Sequence, residues 1–106
     1  QALRAGDLEQ AEAGFQAVLK QDPRSIPALG NLGVVYSRQD RPGEAVKVYR
    51  RALKLAPNEP GLLLNLGLAH LKLDQYADAK PLFAKLVMRD ARSRQFRELL
   101  ATAQLY

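Results

Sequence analysis

The stretch NLGVVYSRQDRPGEA, Asn31–Ala45, is written again as NLGLAHLKLDQYADA, Asn65–Ala79, 34 residues further on. In a chain of 106 residues, a fixed period of that length marks repeated supersecondary units rather than one irregular core. Other positions keep the same step: Gly6, Asp40 and Asp74; Ala11, Ala45 and Ala79; Phe15, Tyr49 and Phe83; Asp22, Ala56 and Asp90. Between residues 26–59 and 60–93, identity survives only at the positions of Leu29, Asn31, Leu32, Gly33, Asp40 and Ala45, with Tyr/Phe and Arg/Lys exchanges elsewhere. The positions held in common are mostly small or apolar, which points to a shared packing pattern.

Inside each unit the apolar spacing is helical. Leu29, Leu32, Gly33 and Tyr36 fall at i, i+3, i+4 and i+7, as do Leu63, Leu66, Gly67 and His70. A second stripe follows in each unit: Ala45, Val48, Tyr49, Ala52 and Leu53, then Ala79, Leu82, Phe83, Leu86 and Val87. Each unit therefore reads as two amphipathic helices. Gly33, Gly67, Ala45 and Ala79 lack bulk where the paired helices would cross, and Leu32, Tyr49 and Phe83 would fill the space around them. Punctuation supports the division. Pro42 suits a helix start, where its missing N–H costs little, and Pro57 with Asn58, Glu59 and Pro60 closes one unit and opens the next. Asp7, with Gln10 three residues on, and Asp74, before QYADA, are expected to act as N-caps, and Asp40, at the same step, is likewise expected to be a helix cap. Pro81 lies about two turns into its helix and is expected to bend it mildly.

The series Leu29, Leu32, Gly33, Tyr36, then Ala45 and Tyr49, then Pro57, resembles the tetratricopeptide repeat, with Leu29 where that family usually carries tryptophan. Leu63, Leu66, Gly67 and His70, then Ala79 and Phe83, continue the resemblance, with His70 in place of the aromatic, Leu86 where alanine is preferred and Ala91 in place of the closing proline. Gly6, Asp7, Leu8, Ala11, Phe15 and Pro23 match the second half of a unit. The resemblance implies an all-α, right-handed solenoid of helical hairpins. Residues 1–25 would be the second helix of a partial repeat, 26–59 and 60–93 full repeats, and 94–106 a capping helix or the first helix of a further repeat. In that last segment Ser93 is the expected N-cap, and Phe96, Leu99, Leu100 and Ala103 would dock on the preceding pair.

Little in the chain offers catalysis. The single histidine, His70, occupies the packing position of Tyr36. No Gly-rich phosphate loop, paired-histidine metal spacing or Ser/His/Asp set can be assembled, so neither enzyme chemistry nor a cofactor is expected. There is no cysteine, which removes disulfides and thiolate ligands and leaves the compartment open. No window nears 18 consecutive apolar residues, and the first residues lack the order of a signal peptide. The expectation is a soluble chain without membrane contact, cytoplasmic rather than periplasmic. Beginning at Gln1 and closing inside a helical run, TAQLY, it reads as part of something longer.

The polar faces suggest an interaction module. Asn31, Val34 and Arg38 stand at i, i+3 and i+7 off the packing stripe, and Asn65, Leu68 and Lys72 repeat them. In tetratricopeptide arrays this side of the first helices lines a concave groove for extended peptides, and the resemblance assigns the asparagines to the peptide backbone, since an amide both donates and accepts. Asn31 and Asn65 would bond the ligand, Val34, Leu64, Leu68 and Leu71 would form an apolar wall, and Arg38 and Lys72 would stand at the rim, favouring acidic segments. Three leucines off the packing stripe of one helix make a patch that a ligand, a partner or the C-terminal helix should cover. Gly61 and Asn65 stand where one chaperone-binding subclass of the family places basic residues, so that subclass is not favoured. Two alternatives remain. One is self-association through solenoid ends, with Leu3, Leu8, Ala11 and Phe15 unpartnered at the first. The other is an acidic protein or, less favoured, a nucleic acid on the basic second-helix face of Lys47, Arg50, Arg51, Lys54, Lys80, Lys85 and Arg89. The excess of 16 basic over 11 acidic residues lies in the last two thirds of the chain. That excess is modest, and no aromatic side chains alternate with these charges as base-stacking platforms.

Overall fold

The computed structural model describes residues 5–105, and among them every regular element is helical: α1 (Ala5–Gln21), α2 (Ile26–Arg38), α3 (Pro42–Leu55), α4 (Pro60–Lys72), α5 (Tyr76–Arg89) and α6 (Arg94–Gln104). Each helix packs on its neighbours in the chain, from α1 on α2 to α5 on α6, with a lighter contact between α2 and α4. This near one-dimensional order is that of stacked helical hairpins, whose apolar faces are buried only against the next pair. The architecture is a short helical-hairpin solenoid.

Local chemistry sets the boundaries. Ser25 Oγ accepts from the Ala28 amide at 3.2 Å, the Glu59 carboxylate accepts from Gly61 (3.2 Å) and Leu62 (2.9 Å), and Ser93 Oγ accepts from Phe96 at 3.2 Å. These three caps open α2, α4 and α6 and themselves recur at the repeat step. Pro42 and Pro60 stand at the first positions of α3 and α4. α5 continues through Pro81 from Tyr76 to Arg89.

The aspartates act differently from the N-caps expected of them. Asp40 and Asp74 have φ of 57° and 58° and follow the ends of α2 and α4. In the first turn the Arg41 amide donates to the Tyr36 carbonyl at 2.8 Å and Asp40 to Ser37 at 3.1 Å; in the second, Gln75 donates to His70 at 2.8 Å and Asp74 to Leu71 at 3.0 Å. Both are Schellman closures, in which a left-handed residue satisfies the last carbonyls of the helix. Aspartate tolerates that conformation better than most residues with a Cβ, which explains its recurrence. The N-cap position of α5 belongs to Gln75, whose side chain makes no capping bond to the helix. Asp7 is likewise no cap: it lies within the first turn of α1 as described, two residues past Ala5.

The crossings are those read from the small residues. A Cβ built on Gly33 would stand 2.7 Å from Tyr49 Cδ1 and closer still to Cε1, while one on Gly67 would stand 2.7 Å from Phe83 Cζ. Tyr49 and Phe83 are buried, and Ala45, Ala52 and Ala79 are fully enclosed. One core cluster joins α2, α3 and α4 through Leu29, Leu32, Tyr49 and Leu66, with Phe15 and Leu19 of α1 packed on its edge. A second gathers Leu63, Ala79, Phe83, Leu86 and Ala103, and Phe96, Leu99 and Leu100 of α6 pack against it. The expectation that the first helix leaves Leu8 and Phe15 unpartnered is corrected in part: Leu8 is buried and Phe15 packs on the first cluster, while Leu3 lies outside the described residues.

A candidate peptide cleft between α2, α3 and α4

With consecutive hairpins held by glycine–aromatic contacts, the first helices α2 and α4 flank a cleft of about 370 Å³ whose remaining wall is the start of α3. Val34 and Leu68 supply its apolar sides, Ala69 and Tyr49 its floor, and Arg38, Asn65 and Lys72 its polar contour. Leu68 is exposed by 41%, which is high for a leucine in the middle of a helix. Among the described residues, no side-chain hydrogen bond or ion pair engages Arg38, Asn65 or Lys72. Two cations and an amide are thus gathered around an apolar hollow with their bonding capacity unspent.

Five of the eight residues selected from the sequence line this cleft: Val34, Arg38, Asn65, Leu68 and Lys72. Asn31 is exposed on α2 outside its lining. Leu64 and Leu71 are half-buried and pack against the second core cluster, to which α6 contributes Ala103. The predicted patch of three leucines therefore shrinks to Leu68, because the cluster shared with α6 covers the other two. The residue at the asparagine step in α6 is Leu99, which packs on that same cluster, so the polar ladder Asn31, Asn65 ends there.

Sequence reasoning missed Ser37, Asp40 and Pro42, which also line the cleft. Asp40, in its left-handed turn, shares the cleft lining with Arg38 and Lys72, so the lining carries two positive charges against one negative. Burial pushes the Tyr49 phenol above its ordinary range, and a hydrogen bond with the Ser37 side chain offsets part of that rise. The Tyr49 part of the floor therefore carries no charge near neutral pH.

Elsewhere, polar groups have structural work. Tyr36 accepts from Gln16 Nε2 at 3.2 Å, and the Arg41 guanidinium lies 4.6 Å above its ring while pairing with Glu12 at 2.9 Å. At the matching place in the next unit, His70 Nδ1 lies 2.8 Å from Gln75 Oε1, an acceptor, so that nitrogen donates. Arg41 and Gln75 occupy the same repeat position, each reaching back to the ring that precedes it. On the basic second-helix face, Arg51 donates to the Pro23 carbonyl at 3.3 Å and Arg89 to Asn58 at 2.7 Å, stitching each turn between helices to the following hairpin. Among the described residues, no group of three His, Asp or Glu side chains is placed to hold a metal ion, and no helix is long and apolar enough to cross a membrane.

Stacked hairpins with a cleft along their first helices define an all-α helical-repeat scaffold. A family model described as tetratricopeptide repeat matches residues 38–103, and another of the same description matches residues 1–60. The chain belongs to the tetratricopeptide repeat family. It is 32% identical over 89 residues to the Protein CTR9 homolog of Arabidopsis thaliana, covering 83% of this chain and 8% of that protein. It is 35% identical over 74 residues to BBSome complex member BBS4 of Mus musculus, covering 70% and 14%. The chain thus spans a small part of the length of these relatives. Among solved structures, the first tetratricopeptide domain of Spaghetti (RPAP3), bound to the HSP90 peptide SRMEEVD, superposes with a TM-score of 0.81 at 16% identity, over 94% of this chain and 81% of that one.

Proposed function

We propose that this chain is a non-catalytic protein-interaction scaffold that takes an extended peptide segment of a partner protein into the cleft between α2 and α4. The observation that carries the reading is the convergence of Arg38, Asn65 and Lys72, whose side chains have no hydrogen bond or ion pair among the described residues, on a hollow walled by Val34 and by an exposed Leu68. An unpaired amide suits a peptide backbone, the hollow takes one bulky apolar side chain, and two cations opposed by the single carboxylate of Asp40 favour an acidic residue beside it. The RPAP3 domain, bound to an acidic peptide on the same fold, supports the class of ligand but not its sequence. Leu64 and Leu71 act from behind, holding α4 in place, and Asn31 extends the contact beyond the hollow.

The test is a nuclease-treated lysate pull-down that compares the wild type with the Asn31→Ala, Asn65→Ala, Leu68→Glu variant, after circular dichroism has established that both fold. Proteins retained by the wild type and lost by the variant are the expected result. Equal retention by both would move the site away from the cleft.

A further inference from the structure

The second helices carry a surface that the cleft leaves unused. An open groove of about 510 Å³ runs between α1 and α3, with Leu32 and Tyr36 of α2 in its lining. These two and Val48 are buried there, and Leu19 is half-buried. Lys20 of α1 and Lys47 and Arg51 of α3 add three exposed cations against one carboxylate, Glu44. A second set follows one repeat step later: Arg50, Leu53 and Lys54 of α3 match Gln16, Leu19 and Lys20, while Asp78 and Lys85 of α5 match Glu44 and Arg51. Leu53 is again half-buried, and Arg50, Lys54 and Lys85 are exposed. α3 thus gives Lys47 and Arg51 to the first set and Arg50 and Lys54 to the second. The series stops there, since Ala84 and Met88 stand a step beyond Arg50 and Lys54.

We infer that the outer face of α1, α3 and α5 binds an acidic segment of a partner protein, one with aliphatic residues between its carboxylates, laid across α3 from the first set to the second. Charge complementarity identifies this occupant. Each set holds three cations against one carboxylate, and the side chains of Lys20, Arg50, Lys54 and Lys85 have no hydrogen bond or ion pair among the described residues. Lys47 stands 3.6 Å from Glu44, and Arg51 spends one of its five donors on the Pro23 carbonyl. Carboxylates of a partner would meet these cations, and aliphatic side chains would complete the cover of Leu19 and Leu53, each of which directly precedes a lysine. The same surface suits a nucleic acid poorly. Tyr36, the aromatic residue of the groove, is only 6% exposed, and the Arg41 guanidinium already lies over its ring, so a base finds no face to stack on. The matching residue in the second set, His70, is buried too.

This inference is independent of the cleft, and its test uses the intact chain. The probes are a labelled peptide EELEELEELEEL, its counterpart EESEESEESEES and a short oligouridine, titrated at about 0.15 M salt, where exposed charges more than about 8 Å apart are largely screened. The leucine peptide is expected to shift the methyl NMR signals of Leu19 and Leu53 saturably. Its affinity is expected to fall about tenfold or more in the Lys20→Glu, Lys54→Glu, Lys85→Glu variant, whose exposed positions leave folding intact by circular dichroism. A control with the same change in net charge, Arg92→Glu, Arg94→Glu, Arg97→Glu, is expected to keep its affinity within about threefold, as is the cleft variant Asn65→Ala, Leu68→Glu. The serine peptide is expected to bind several-fold more weakly. Equal losses in the two charge variants, shifts confined to the cleft, or no binding at millimolar peptide would overturn the inference, and oligouridine held more tightly than the leucine peptide by the same lysines would replace it with a nucleic-acid surface.

Discussion

The Tyr49 ring occupies the space that a Cβ on Gly33 would need: such a carbon would stand 2.7 Å from Cδ1, against a ring only 2% exposed. The α2–α3 crossing is therefore a glycine–aromatic lock, repeated by Gly67 and Phe83.

Gly33→Ala will destabilise the fold by up to about 2 kcal/mol, because overpacking of about 1–3 kcal/mol outweighs the helix-propensity gain of about 1 kcal/mol. Trimming the ring as well, in Gly33→Ala with Tyr49→Leu, will recover part of the loss. Urea midpoints at unchanged slope measure both; an unaltered or raised midpoint for Gly33→Ala alone would remove the lock.

Ala45 is fully enclosed in the same crossing, so Ala45→Leu will cost about 1–3 kcal/mol. An unchanged urea midpoint would show that α2 and α3 do not meet there as described.

Asp74→Gly will stabilise the chain by about 0.5–1 kcal/mol, since glycine adopts the left-handed turn, here at φ 58°, without the Cβ penalty. Asp74→Ala will destabilise it. Thermal melts of the pair should move in opposite directions, and a common direction would refute the backbone account of the repeated aspartate.

The Tyr49 phenol is raised above its ordinary value of 10.0 mainly by burial. Its unfolded form ionises first, so the stability linked to this group is intact below about pH 10 and is lost as pH climbs from there through the folded value. Tyr49→Phe, the residue the next unit already uses over Gly67, will be tolerated near neutral pH and will flatten the alkaline decline. Urea midpoints between about pH 7 and pH 11 test this, and parallel profiles for both proteins would contradict it.

Packing was the legible part of this molecule. A step of 34 residues identified the helices, and the absence of bulk at Gly33 and Gly67 marked the crossings, because close approach of two helices leaves few choices of side chain. The cleft residues Val34, Arg38, Asn65, Leu68 and Lys72 could be selected because they stand off the packing stripe. Caps were harder. An aspartate between two helical runs serves equally as the N-cap of the second or the left-handed close of the first, and the backbone at Asp74 chose the latter. The sequence left three possible covers for Leu64, Leu68 and Leu71, a ligand, a partner or the C-terminal helix, because spacing within α4 does not say how α6 docks; Leu64 and Leu71 pack against the cluster that holds Ala103 of α6, and Leu68 stays exposed.

The central claim is that an acidic, apolar-anchored peptide segment enters the cleft beside Leu68. Its most direct test is selection from a random peptide library on immobilised wild-type protein, with affinities of the enriched peptides then measured on the wild type and on the folded Asn65→Ala, Leu68→Glu variant. The account predicts enrichment of sequences with a bulky apolar residue next to an acidic one, with binding to the variant weakened about tenfold or more. Enriched peptides without that pattern, or with equal affinity for both proteins, would contradict it.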